Sequence, residues 1–193
     1  MRDLERDLRI VEAIAADLKP YLLSEALYWT LSDHGPLQNP YPTGTLGGLL
    51  FRLHLLDACR DRLGPDQWSR LGDARRAIEE HLRRWAVQAE QKAGREAAAR
   101  LRAWETFLEE AAEDPSRYSP EYRTQIEGRA ILDWLLAYLG PRADDRLRGA
   151  LAAADRKLED LTTEGGFVWD EALRDAFPAD RFPYLYLHFR DET

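Results

Sequence analysis

The sequence predicts an all-α protein, an irregular helical bundle with one unusually long helix and an aromatic-rich C-terminal segment. Apolar residues recur every three or four positions through most of the 193 residues, which is the period of an amphipathic helix. Glycine and proline cluster at a few places that separate these periodic stretches. Alternation of apolar and polar residues, which is typical of strands, is confined to short segments. The length fits a single helical domain over residues 1–193.

Glycine and proline pairs set the limits of most expected elements. We expect the helix after the longest one to begin with Ser119 as its N-cap and Pro120 in its first position. Residues 21–31 and 184–189 are compatible with either strand or helix. The expected helices lie near 2–19, 45–62, 66–112, 120–139 and 143–161, with a short one near 170–176.

The stretch from Trp68 to Ala111 carries the longest apolar stripe. Its members cover 40 residues in 11 steps, a mean step of about 3.6, which is that of a straight α-helix. Such a helix would measure roughly 60 Å, more than the diameter of roughly 40 Å of a compact globule of this length. Either the helix breaks at Gly94, or its middle is covered by another helix. The stripe consists of Leu71, Ala74, Ile78, Leu82, Trp85, Ala89, Ala93, Ala97, Leu101, Trp104, Leu108 and Ala111.

The middle of this stripe narrows to Ala89, Ala93 and Ala97, a seam of small residues that lets a second helix approach closely. No turn residues surround Gly94 in "AEQKAGREAAAR", so we favour a covering helix over a break. A second copy of the chain is the simplest source of that helix. The sequence therefore predicts a homodimer with the three alanines in its interface.

The charge and composition exclude several classes of partner. A formal net charge of −8 opposes binding to nucleic acid or to an anionic membrane. No apolar run has the length of a membrane span or the form of a signal peptide, and a single cysteine fits a reducing compartment. We therefore expect a cytoplasmic protein without a cofactor. Few thermolabile residues beside many charged ones suggest a thermophilic host.

The arginine-rich stretch from Arg70 to Arg102 is interpreted as a solvated helix face and not as a nucleic-acid surface. It holds nine Lys or Arg against five Asp or Glu, which leaves little excess positive charge. Many of these charges stand four residues apart with opposite signs, the spacing that stabilises an exposed helix. Glu96 and Arg100 are expected to form one such exposed pair.

The stretch "NPYPTGTLGGLL", residues 39–50, is the closest to a functional signature. It lacks the lysine and hydroxyl residue of a nucleotide-binding loop, and its glycine spacing differs from a dinucleotide fingerprint. Thr43 or Thr45 is expected to cap a helix whose first turn holds the paired glycines. Because a helix N-terminus can hold an anion, a ligand pocket near residues 43–57 stays the alternative.

Four residues are the catalytic candidates: His34, His54, Asp57 and Asp133. His54 and Asp57 share one helix face, and His34 precedes the glycine stretch, so these three would converge if the chain folds back. A solvated helix face is the simpler interpretation. No recognised ligand spacing connects the histidines, and we predict no metal site. Cys59 follows apolar sequence and is expected to be a small core residue, not a nucleophile.

Asp133 interrupts the apolar run "ILDWLLAYLG" of a helix that should be central. A carboxylate in that setting needs a partner, because desolvating an unpaired charge is costly. Arg129 or an arginine of the long helix is the expected partner, and a role in a pocket is the alternative.

The C-terminal segment is unusually aromatic, and its prolines keep it irregular. Such residues either dock on the helical core, which we expect, or anchor a protein partner. They are Phe167, Trp169, Phe177, Phe182, Tyr184, Tyr186 and Phe189, with His188 among them.

The leading functional hypothesis is a non-catalytic, self-associating helical protein that acts through protein–protein contacts. It follows from the excess helix length, the alanine seam and the lack of an assembled catalytic motif. The alternative is a small helical enzyme, or a ligand- or metal-binding protein, with its pocket near the glycine stretch.

Overall fold

Helices account for most of the computed structural model, which describes residues 2–31 and 43–190 and confirms the all-α class. The α-helices of these residues are α1 (Leu4–Leu23), α2 (Leu46–Ala58), α3 (Pro65–Arg84), α4 (Ala86–Glu113), α5 (Pro115–Leu139) and α6 (Asp145–Leu161). Short 3₁₀ helices occur at Arg60–Arg62, Gly140–Arg142, Glu171–Ala176 and Pro183–Tyr186. Two short strands, β1 (Thr162–Glu164) and β2 (Leu187–Phe189), pair antiparallel.

The described residues fall into two compact units, where the sequence suggested one domain over 1–193. The N-terminal unit comprises residues 2–96, and the C-terminal unit comprises the chain from Ala97 onward. Helix α4 therefore contributes residues to both.

In the N-terminal unit, α1 packs against α3 and α2. It continues through Pro20 to Leu23, four residues beyond the predicted end. Arg70 of α3 binds two carboxylates of α1, with its Nη2 2.6 Å from Oε2 of Glu12 and its Nη1 3.1 Å from Oε1 of Glu5. These ion pairs flank an apolar contact between the two helices.

The segment after α1 is neither a continued helix nor a regular strand. Helix α1 ends at Leu23, and Trp29 then forms an isolated antiparallel bridge with Gly44. The side chain of Lys92, which is 2% exposed, donates a hydrogen bond to the carbonyl of Ala26. Residues 24–31, whose apolar residues follow neither the helical nor the strand period, are thus held by hydrogen bonds to α4 and to the chain before α2.

The predicted helix over 66–112 breaks at Trp85, not at Gly94. Helix α3 ends at Arg84, Trp85 takes φ −117° and ψ 41°, and α4 begins at Ala86. At 1.5 Å per residue the two helices measure about 30 and about 42 Å, so neither has the excess length inferred from the sequence. No glycine or proline marks the break, and the apolar stripe runs through it, so the local sequence does not predict its position.

The alanine seam is covered within one copy of the chain. Ala89, Ala93 and Ala97 lie in α4, and each is 0% exposed. Residues without accessible surface in one folded copy do not present an interface to a second copy, which corrects the expectation drawn from the sequence. The homodimer itself stays a prediction, now without this surface to support it.

In the C-terminal unit, α5 begins five residues before the predicted position. Asp114, and not Ser119, is its N-cap, because Oδ1 of Asp114 accepts the N–H of Arg117 at 3.1 Å. Pro115 occupies the first helical position, where its missing N–H costs nothing. Pro120 lies inside the helix.

Helix α5 ends at Leu139 and is capped by Gly140, whose φ of 53° lies in the left-handed region that glycine adopts freely. The chain then reverses into α6. The predicted ambiguity of residues 184–189 resolves into a 3₁₀ helix followed by β2, with Phe189 opposite Thr162. The last three of these residues therefore form a strand, one of the two possibilities that the sequence left open.

The aromatic C-terminal segment docks on helices of its own unit, as expected. Phe182 and Phe189 are 1% and 6% exposed. The ring of Phe189 lies 5.3 Å from that of Tyr122, and the ring of Phe182 lies 6.2 Å from that of Trp134, both on α5. This packing places the loop before β2 beside α5 and α6, where it closes one side of a pocket.

Candidate functional site: a pocket around Arg129

The glycine stretch does hold an anion, but that anion belongs to the chain itself. Thr45 caps α2, since its hydroxyl accepts the N–H of Gly48 at 3.0 Å, which confirms the predicted cap. The N–H of Gly47 donates to Oε2 of Glu96 at 2.8 Å, and Glu96 is 0% exposed. A carboxylate is favoured at a helix N-terminus by the unpaired N–H groups and the helix dipole.

Glu96 lies elsewhere than expected, and its position bears on the possible ligand pocket. The sequence suggested that it forms an exposed pair with Arg100, whereas its carboxylate is buried against α2. The sequence also left open a ligand site near residues 43–57. The N-terminus of α2, where such a site would hold an anion, is occupied by the carboxylate of Glu96.

The histidine and aspartate candidates of α2 have other surroundings. The carboxylate of Asp57 is exposed and ion-pairs with Arg75 of α3, and His54 is half-buried. His34 lies outside the described residues. Within residues 2–31 and 43–190, no group of three or more His, Cys, Asp or Glu side chains is placed to hold a metal ion. Cys59 is 3% exposed, as expected of a core residue.

Asp133, the fourth candidate, forms the predicted ion pair and also lines a pocket. Its Oδ1 accepts a hydrogen bond from Nη1 of Arg129, one turn earlier in α5, at 2.7 Å. The same guanidinium makes two parallel bonds to Asp155 of α6, from Nε to Oδ1 and from Nη2 to Oδ2, both 2.7 Å. This bidentate arrangement fixes the plane of the guanidinium.

Tyr184, from the segment before β2, completes the cluster. Its hydroxyl donates to Oδ2 of Asp133 at 2.7 Å, and its ring lies under the guanidinium with the centroid 4.3 Å from Cζ of Arg129. The carbonyl of Tyr184 accepts the hydroxyl of Tyr122 at 2.6 Å, which anchors the segment on α5. Three elements therefore converge on one arginine.

The electrostatics keep these groups in fixed protonation states. Burial works to lower the pKa of Arg129, but its hydrogen bond to Asp155 and the charges of both aspartates raise it above its ordinary value. Burial, with the charge of Asp133, also raises the pKa of Tyr184. At neutral pH the guanidinium is charged and the tyrosine hydroxyl is a donor. One cation faces two carboxylates, and the formal charge is −1.

The pocket beside this cluster has a volume of about 690 Å³. That is the size of cavities that take metabolite-sized molecules. Arg129 is buried on its floor, with 7% of its side chain exposed, while the side chains of Asp133 and Asp155 are 27% and 31% exposed. The two carboxylates thus form the accessible part of the floor. The apolar lining consists of Leu136, Ala137, Leu158, Pro183 and Leu187.

Further charges surround the mouth of the pocket. Nη2 of Arg148 donates to the carbonyl of Gly140, and Cζ of Arg181 lies 5.2 Å from the ring centroids of Trp134 and Phe182. Two exposed carboxylates complete the lining. They are Glu159 and Asp180.

Sequence reasoning found half of this cluster. The spacing of Arg129 and Asp133 identified their pairing, because residues four apart in a helix are neighbours. Asp155 was missed, although it lies beside the apolar stripe of α6, where a charged residue needs an explanation. Tyr184 was expected only as an aromatic anchor. No feature of the sequence around Tyr184 predicts the hydrogen bond of its hydroxyl to Asp133, which lies 51 residues earlier.

No helix among the described residues combines the length and the apolar composition that crossing a bilayer requires. Comparison of the chain with models of protein families, with curated proteins and with solved structures found no match.

Proposed function

We propose that this protein binds a small organic molecule in the pocket around Arg129 and acts by that binding, without catalysing a reaction. The observation that carries the proposal is the buried guanidinium that holds two partly exposed carboxylates at the floor of a metabolite-sized pocket. Rigidly oriented polar groups beside apolar lining residues are the usual elements of ligand recognition.

The arrangement favours binding over chemistry. Both oxygens of Asp155 accept bonds from one guanidinium, and both oxygens of Asp133 accept bonds from Arg129 and Tyr184. Carboxylates held in this way are fixed acceptors, and a raised tyrosine pKa does not suit a general base. No cofactor and no metal are invoked.

The leading hypothesis from the sequence, self-association, has lost its main supporting feature because the alanine seam is buried in one copy. Light scattering after gel filtration tests it directly, and a monomeric mass would end it. A cytoplasmic location, a thermophilic host and the lack of nucleic-acid and membrane partners stay proposals from composition.

The pocket can be blocked without touching its polar floor. Ala137 is an exposed pocket residue on α5, so Ala137→Trp should fill the cavity and leave the Arg129 cluster intact. Ala153, exposed on α6 and outside the pocket lining, offers Ala153→Trp as the matched control.

The test is a fragment screen by amide chemical-shift mapping, with compounds of positive, negative and zero charge. We expect at least one class to shift resonances of pocket residues in the wild type and in Ala153→Trp, but not in Ala137→Trp. If no class does so, or if Ala137→Trp responds like the wild type, the proposal is wrong.

A further inference from the structure

We infer that the pocket around Arg129 selects an organic cation, a primary amine or an amidine on a short apolar body. This inference rests on the proposed function, because it names the class of molecule that the same pocket takes. Three observations support it: the net charge of the lining, the hydrogen bonds that Asp133 and Asp155 can still accept, and the contacts that the arginines of the lining already make.

The lining carries an excess of negative charge. Its charged side chains are three arginines and four carboxylates: Arg129, Arg148 and Arg181 against Asp133, Asp155, Glu159 and Asp180. A ligand with one positive charge would neutralise this excess, whereas an anion would increase it.

The two floor carboxylates keep acceptor capacity on their open side. Each oxygen of Asp133 and of Asp155 accepts one bond within the cluster, and a carboxylate oxygen can accept two. Both side chains are about 30% exposed, and the surface they expose faces the pocket that they line. An ammonium or amidinium group has the several donors that two carboxylates can share.

The arginines, by contrast, are already engaged. Arg129 donates three bonds to the aspartates, Arg148 donates to a main-chain carbonyl, and Arg181 lies against two aromatic rings. Within the described residues, the carboxylates of Glu159 and Asp180 take part in no hydrogen bond or ion pair. Arg148 and Arg181 keep further N–H donors, but the carboxylates of the lining outnumber its arginines by one, and the two at the floor have open acceptor capacity. The apolar lining residues suit the carbon skeleton of the ligand.

The test compares probes that share a phenyl ring and differ in charge: benzylamine, benzamidine, benzyl alcohol and benzoate. Affinities are measured by amide chemical-shift titration of the full chain at low ionic strength. We expect both cations to bind at least tenfold more tightly than benzyl alcohol, benzoate to bind least, and added salt to weaken the cations selectively.

Two matched variants separate local charge from net charge. Glu159→Gln removes one negative charge at the mouth and should weaken benzamidine at least threefold. Asp160→Asn removes the same charge from the neighbouring, exposed position of α6 outside the lining and should change its affinity less than 1.5-fold. Neither variant changes a residue that bonds to Arg129, so both should fold like the wild type. A change in affinity can then be assigned to the charge.

Each outcome has a defined meaning. Binding of benzoate in the pocket at an affinity equal to or above that of the cations overturns this inference and leaves the proposed function in place. Equal weakening by Glu159→Gln and Asp160→Asn also overturns it, because the pocket would then not read the charge. Failure of all four probes and of the wider fragment screen overturns the proposed function itself.

Discussion

Replacing Arg129 with methionine tests whether one side chain organises the C-terminal pocket. The change keeps most of the side-chain length and removes three charge-assisted hydrogen bonds of 2.7 Å. Such a bond contributes roughly 1.5–3 kcal/mol, but bonds that share one group are not additive. Asp133 and Asp155 are 27% and 31% exposed, so they regain part of their hydration. We therefore expect a loss of about 3 kcal/mol, the lower end of the range for breaking a buried ion pair.

The assay is urea unfolding followed by circular dichroism. Arg129→Lys keeps the charge but cannot make the bidentate contact, and it should lose about half as much stability as Arg129→Met. Arg123, exposed on the same helix, gives the matched control Arg123→Met, which should stay within about 0.5 kcal/mol of the wild type. A loss below about 1 kcal/mol for Arg129→Met would refute the reasoning, because the network would then not stabilise the fold.

Other predictions address the helices and the short sheet. Glu96→Gln keeps the shape of the side chain but removes its charge at the start of α2, and it should cost about 1–2 kcal/mol in urea unfolding. No measurable loss would mean that the carboxylate does not bind Gly47 in solution. Gly94→Ala, in the interior of α4 with no atom within 4 Å of an added Cβ, should stabilise the protein by about 0.5–1 kcal/mol. Destabilisation would argue against a helix that is continuous there. At Gly165 an added Cβ would stand 2.0 Å from the ring of His188, while Gly166 has open space, so only Gly165→Ala should lower the melting temperature. Equal effects of the two would contradict the packing beside β2.

Local patterns predicted the helical class and most helix positions, because burial of one face imposes a period on the sequence. The cap at Thr45 and the pair of Arg129 with Asp133 were also accessible, since both depend on residues within one helical turn. These are the features whose energetics are decided within a few residues.

Features that depend on distant residues were missed. The break at Trp85 falls inside an unbroken apolar stripe, and no turn residue announces it. The burial of Glu96 depends on α2, 49 residues earlier, and Asp155 and Tyr184 reach Arg129 from separate elements. A sequence contains the chemistry of such residues but not their juxtaposition, so it predicted neither the burial of the three alanines within one copy nor the cluster around Arg129.

The contact of Glu96 with α2 has a consequence for any soluble anion that meets this helix end. A carboxylate fixed in the same fold acts as a tethered ligand, which a soluble anion would have to displace before it could bind there. The chain thus carries its own competitive inhibitor for the position that its glycines create. An anion that fits a glycine-rich helix N-terminus can therefore be encoded elsewhere in the same chain, here 49 residues later.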